Sequence, residues 1–227
     1  MVFRNAKLFL FIVALIHLPG LAQAASGLEM NEADQSATLM DLVVRDKFSM
    51  QLVSGVLYSP VLENGSRPDF NYFQTNLRFV WMLNPSIAIE RMSLGGNFDF
   101  VFELTTSIIF NGPGNVITGV SGLLRYDFAR HFEQFRFYAQ GGMGVVYTNA
   151  YKDYSQSLIG QGIEFTPQLS LGAHYLINKN WSIDGEAMYH HISNANMDDR
   201  NAGVNALGGF VGVTYYFSSP AFFATTQ

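Results

Sequence analysis

The sequence contains no cysteine. Structural disulfides, thiolate nucleophiles and thiolate metal sites are excluded, so any nucleophile is an oxygen or an amine. Charge is scarce as well: Asp, Glu, Lys and Arg make up 14% of the 227 residues, with a formal net charge of -5. No run of Lys or Arg occurs, which leaves no basic surface to hold nucleic acid. Beyond the N-terminus no stretch stays free of polar residues for the ~20 residues a membrane-spanning helix needs. If the mature chain enters a membrane, it enters as strands. No metal-ligand spacing is present, and no cofactor is implied.

What is abundant is apolar and aromatic: 48% of residues are hydrophobic and 15% are Phe, Trp or Tyr. Composition alone fits either one domain with a large core or a small membrane barrel. The N-terminus reads as a secretory signal, with Arg4 and Lys7, an apolar run from Leu8 to Ile16, Pro19-Gly20, and the small-residue pattern Ala22-Gln23-Ala24. Cleavage is expected after Ala24. The apolar run is too short for an uncleaved spanning anchor. Residues 25–47 are mostly polar and read as a periplasmic N-terminal segment.

From Phe48 onward the dominant signal is alternation with period two, which puts alternate side chains on opposite faces of a sheet. In Phe135 to Tyr147 the odd positions are Phe135, Phe137, Ala139, Gly141, Met143, Val145 and Tyr147, against Arg136, Tyr138, Gln140 and Gly142. The same contrast runs through Phe98 to Phe110 and Ile163 to Ile177. About eight strands result: Phe48–Ser59, Tyr72–Leu83, Phe98–Phe110, Val116–Phe128, Phe135–Thr148, Ile163–Ile177, Trp181–Ser193 and Val204–Phe217. Turn signals such as Asn64-Gly65 and Asn111-Gly112-Pro113-Gly114 separate them. Pro167 inside the sixth suggests a bulge.

A soluble ligand-binding barrel also alternates. Here the second face carries Asp, Glu, Arg, Gln and His in strand after strand, which suits the hydrated interior of a membrane barrel and not a greasy cavity. The expectation is an all-β, eight-stranded antiparallel transmembrane barrel over residues 48–217, followed by a tail over 218–227. Tyr58, Trp81, Phe110, Tyr147, Tyr175, Trp181, Tyr189 and Tyr215 are placed to form interfacial girdles. With both ends of the barrel in the periplasm, the hairpin between the seventh and eighth strands is extracellular.

That hairpin breaks the apolar pattern. The odd, lipid-facing row Ile183, Gly185, Ala187 and Tyr189 continues into His191 and Ser193, and the odd row of the last strand begins at Asn205. Antiparallel neighbours bring such residues within reach of one another. Unpartnered polar groups in hydrocarbon cost several kcal/mol each. A hydroxyl beside an imidazole that is oriented by a third polar group is the recipe for an activated serine. The plainer reading is a polar aqueous rim with no chemistry, and spacing alone does not decide between them. Asp184, Glu186 and His190 fall on the inner face, with His190 expected to bond interior carboxylates. His174 and Glu164 read as interior polar packing.

The segment His191-Ile192-Ser193-Asn194-Ala195, followed by Arg200-Asn201-Ala202-Gly203-Val204-Asn205, resembles the signature of the outer-membrane lipid A 3-O-deacylase (PagL) family. The resemblance is sharp over this hairpin and looser over the rest of the barrel. It implies a cofactor-free serine esterase of a Gram-negative outer membrane, whose substrate is the lipid A of lipopolysaccharide in the surrounding bilayer. Position by position, it makes His191 the general base and Ser193 the nucleophile. Asn205 stands where the best-known members have Glu. Asn orients an imidazole but supplies no charge; Asp198 and Asp199 are candidates to deputise. Asn194, Asn201 and nearby backbone N–H groups are the candidates for oxyanion stabilisation and support. The rival in another class is a non-catalytic structural or binding barrel; a small porin ranks last, because eight strands leave an interior filled by side chains. A homodimer is left open.

Overall fold

The computed structural model describes residues 48–59, 69–83, 87–89, 94–128 and 134–217. The expected signal peptide, N-terminal segment and C-terminal tail lie outside the described residues.

Among the described residues ten strands are formed: β1 (Phe48–Tyr58), β2 (Asn71–Met82), β3 (Ile87–Ile89), β4 (Leu94–Asn111), β5 (Val116–Phe128), β6 (Phe135–Thr148), β7 (Ile163–Phe165), β8 (Gln168–Leu176), β9 (Trp181–Ile192) and β10 (Val204–Tyr216). Every pairing is antiparallel, and β1 pairs with both β2 and β10, so the sheet closes on itself. Eight staves make the ring in the order β1, β2, β4, β5, β6, β8, β9, β10. β3 pairs along the end of β4, and β7 continues the β8 stave. Closure pairs each of the eight staves on both sides, which hydrocarbon demands.

Two differences from the sequence reading lie in the strands themselves. β4 is longer than alternation suggested, because β3 folds back along it. The expected bulge at Pro167 is absent: Phe165 opposes Val145 and Gln168 opposes Gly142, so both strands advance by three residues between the two pairs. Proline only interrupts the ladder, since it has no N–H to give.

Side chains alternate as the pattern requires. Outward residues such as Met143, Leu169, Leu171 and Val211 are 61–72% exposed. An apolar band of that kind would be an aggregation surface in water and is matched by lipid. Aromatic pairs crowd the end of the barrel that holds both the start of β1 and the end of β10. There Phe48 packs on Trp81 and Phe217, Trp181 on Tyr215, and Phe135 on Tyr175, at ring separations of 4.8–5.3 Å.

The interior has two parts. Its middle and lower reaches are a charged network: Arg78 bonds Glu103 at 2.6 Å and holds Glu186 by two bonds of 2.6 and 2.9 Å. Arg125 lies 4.3 Å above the Tyr138 ring, whose hydroxyl donates to Glu186. Asp184 takes bonds from His174, Gln51, Ser182 and Thr214. The outer end is not polar, as the alternation had suggested. Leu57, Phe70, Tyr72, Ile109, Ile117, Ile159, Ile192 and Val204 form a buried apolar plug across it. Arg78 is thereby paired with Glu103 and Glu186 beneath a cap of apolar side chains, as a closed small barrel demands.

Candidate active site

β9 carries two rows of side chains. Ser182, Asp184, Glu186, Met188 and His190 are buried in the lumen, whereas Ile183, Gly185, Ala187 and Tyr189 are exposed on the outer wall. The inner row fastens the strand: Asp184 and Glu186 belong to the charged network, and His190 Nδ1 meets the Tyr72 hydroxyl at 2.6 Å. The carboxylate partner expected for His190 is replaced by a phenol, because the apolar plug begins at that height. Glu186 is fully engaged inside and does not serve the outer face.

His191 continues the outer row and is half-buried. It lies directly opposite Asn205 on β10, and its Nδ1 is 2.6 Å from Asn205 Oδ1. A carbonyl oxygen only accepts, so Nδ1 carries a proton, and in the neutral imidazole Nε2 keeps its lone pair. The same Oδ1 accepts a second bond, from the Tyr189 hydroxyl at 2.7 Å. On the other side of the strand, His191 N–H donates to Pro167 carbonyl at 2.9 Å. Asp198 instead accepts the Arg200 backbone N–H at 2.9 Å. Neither Asp198 nor Asp199 bonds His191 among the described residues.

Ser193 follows on the same face, between buried Ile192 and buried Asn194. Its backbone exchanges two bonds with Phe165, at 2.8 and 3.1 Å. Among the described residues, its hydroxyl makes no hydrogen bond to His191. The imidazole turns across the sheet towards Asn205, while neighbours on one face of a strand stand about 6.6 Å apart along it. The three residues therefore share one outer patch as a bonded His–Asn pair with the serine beside it.

The connection to β10 starts with a tight turn in which Met197 N–H donates to Asn194 carbonyl. Ala195 (φ 54°) and Asn196 (φ 64°) are both left-handed, the pattern of a type I′ turn. An alanine there costs about 1–2 kcal/mol, so something must hold it. Asn201 does: its Oδ1 accepts Asn194 N–H and its Nδ2 donates to Asn196 Oδ1, each at 2.9 Å. The Asn194 side chain is buried and donates to Arg200 carbonyl, so Asn194 supports the turn and is not aimed at the serine.

Arg200 and Gly203 complete the scaffold, and the alternation pattern did not single them out. The Arg200 guanidinium donates to the carbonyls of Tyr151, Asp153 and Gly160, joining the β6–β7 loop to the β9–β10 loop. Gly203 sits at φ 69°, and a Cβ there would lie 3.2 Å from His191 Cε1. Only glycine meets both the backbone and the space beside the ring. Tyr189 was read as a girdle aromatic; its odd position two before His191 was the available signal of a role in the patch.

A closed eight-stave barrel with a lipid-facing apolar band, an aromatic rim and a paired charged lumen defines a small outer-membrane barrel, here with a polar patch on its outer wall. The family model described as lipid A 3-O-deacylase (PagL) matches residues 72–214, a span that includes His191, Ser193 and Asn205. The chain belongs to this family. Among solved structures it is similar to the outer membrane enzyme PagL, with 17% identity and a TM-score of 0.52 over 71% of this chain and 97% of that one. It is also similar to Neisserial surface protein A, with 13% identity and a TM-score of 0.53 over 75% of this chain and 97% of that one. At such identities these likenesses concern the barrel alone. No curated protein matches the chain in sequence.

Proposed function

We propose that the protein is a serine esterase that removes the ester-linked 3-hydroxyacyl chain at position 3 of lipid A in the outer leaflet. The observation that carries this is the His191–Asn205 bond on the lipid-facing wall, which leaves Nε2 as a free base two residues from Ser193. Lipid A resides in the leaflet that such a patch faces, so substrate need not leave the membrane.

In the reaction His191 Nε2 takes the Ser193 Oγ proton as Oγ attacks the ester carbonyl. The resulting tetrahedral oxyanion needs donors; Asn201, which frames the turn after the serine, and the turn's backbone N–H groups are the candidates. Collapse breaks the ester bond, and the sugar oxygen leaves with the proton held on Nε2. Water, deprotonated by the same nitrogen, then releases the fatty acid from Ser193. Asn205 keeps the imidazole in the Nδ1–H tautomer throughout. Lacking charge, it stabilises imidazolium less than a carboxylate would, so Asn205→Glu is expected to raise turnover. A homodimer gains no support and is no part of the proposal.

Mass spectrometry of lipid A from cells making the wild type or Ser193→Ala tests the reading. Loss of one hydroxyacyl chain is expected with the wild type only. Identical spectra would leave the non-catalytic barrel as the better account.

A further inference from the structure

Asn205 poses a problem that a carboxylate does not. The two ends of a side-chain amide are nearly equal in size, yet they dictate opposite tautomers of the histidine they face. With Oδ1 towards His191, Nδ1 carries the proton and Nε2 is a base. With Nδ2 towards it, Nδ1 becomes the acceptor, Nε2 carries the proton, and no base remains. Nothing in the His–Asn pair itself selects one arrangement.

The selecting element is the second bond at the same atom. Tyr189 Oη lies 2.7 Å from Asn205 Oδ1, on the same outward row as His191 and two residues before it. A phenol is a good donor and a poor acceptor, because its oxygen lone pair is partly delocalised into the ring. It therefore favours a carbonyl oxygen over an amide nitrogen at that place. The ring is fixed by its strand: inner-row neighbours Met188 and His190 are buried, and His190 is bonded to Tyr72. In a surrounding of low polarity, a hydroxyl-to-carbonyl bond counts for more than it does in water.

We propose that Tyr189 is a positioning residue that holds the Asn205 amide with its oxygen towards His191, and so sets the His191 tautomer. A neutral amide can then stand where a carboxylate would otherwise be needed. The kinetic consequence rests on the esterase reading; the tautomer consequence does not.

The test uses the full chain, refolded in detergent micelles, with Tyr189→Phe keeping the ring and losing only the hydroxyl. Heat-modifiable migration on gels confirms that both forms are folded barrels. Nitrogen-15 correlation spectra of the His191 imidazole should show Nδ1 protonated in the wild type, and a mixture with the Nε2–H form in the variant. With a lipid A substrate, kcat should fall about tenfold, the worth of one ordinary hydrogen bond, with little change in KM. Because a carboxylate presents an acceptor whichever way it turns, Tyr189→Phe should lose most of its effect in an Asn205→Glu background. An unchanged tautomer in Tyr189→Phe, or an equal kcat loss in the Asn205→Glu background, overturns the inference while wild-type turnover stands. A folded wild type that releases no acyl chain overturns the esterase reading instead, and the spectra still decide on Tyr189.

Discussion

His190 and His191 are consecutive in sequence and project from opposite faces of the same barrel wall. His190 is buried, and its Nδ1 meets the hydroxyl of Tyr72 across the lumen. His191 is half-exposed and shares Asn205 with the hydroxyl of Tyr189. Each histidine thus has a tyrosine near it, and the two settings differ in what lies beyond. Around His190 there is an apolar plug; beside His191 there is the bilayer. Residue type and even partner type are nearly alike, so strand register alone separates a packing group from a candidate base.

The most severe way to break this comparison is to truncate each histidine in turn. His191→Ala should lower lipid A deacylation by about 10⁶-fold, as loss of a general base does in serine hydrolases. His190→Ala should act through the barrel's stability instead, and equal loss of turnover per folded molecule in both would erase the distinction. Next comes the interior anchor of the same strand. Glu186→Ala leaves Arg78 and Tyr138 short of a partner in the lumen and should destabilise the barrel by about 3–5 kcal/mol, read from guanidinium unfolding in micelles. No shift in the midpoint would mean that the network does not fasten β9. Gly203→Ala should cost about 1–2 kcal/mol through its left-handed backbone, and should also slow turnover by pushing on the His191 ring. Smallest is Tyr72→Phe, expected to cost about 1 kcal/mol with turnover unaltered; a fall in turnover would show that the two faces communicate.

Most of the fold was legible because alternation is a direct record of which wall each residue faces. The eight staves and the outward setting of His191 and Asn205 follow from it without any knowledge of contacts. The apolar plug was not legible: Ile192, Val204 and Ala206 occupy inner positions, and a rule that equates the inner face with polarity passes over them. At Pro167 a local rule also failed. Loss of one donor was tolerated in place, with the carbonyl still bonded to His191 N–H, so no extra residue was needed. The Tyr189 bond was hidden for a different reason, since aromatic residues near strand ends ordinarily need only the membrane interface to explain them. Arg200 and Asn201 act through loop carbonyls and turn amides, which periodicity does not encode.

The twelve residues of β9 constrain how the gene for such a protein can change. Read in one phase the strand spells an anchor of Asp184, Glu186 and His190; read in the other it spells Tyr189 and His191. Point substitutions edit one message and leave the other intact. Insertion or deletion of a single codon between Asp184 and His191 exchanges the two beyond the change, turning either the anchor towards lipid or the outer patch towards the lumen. Length variation among descendants should therefore avoid β9, which keeps its count and drifts only letter by letter.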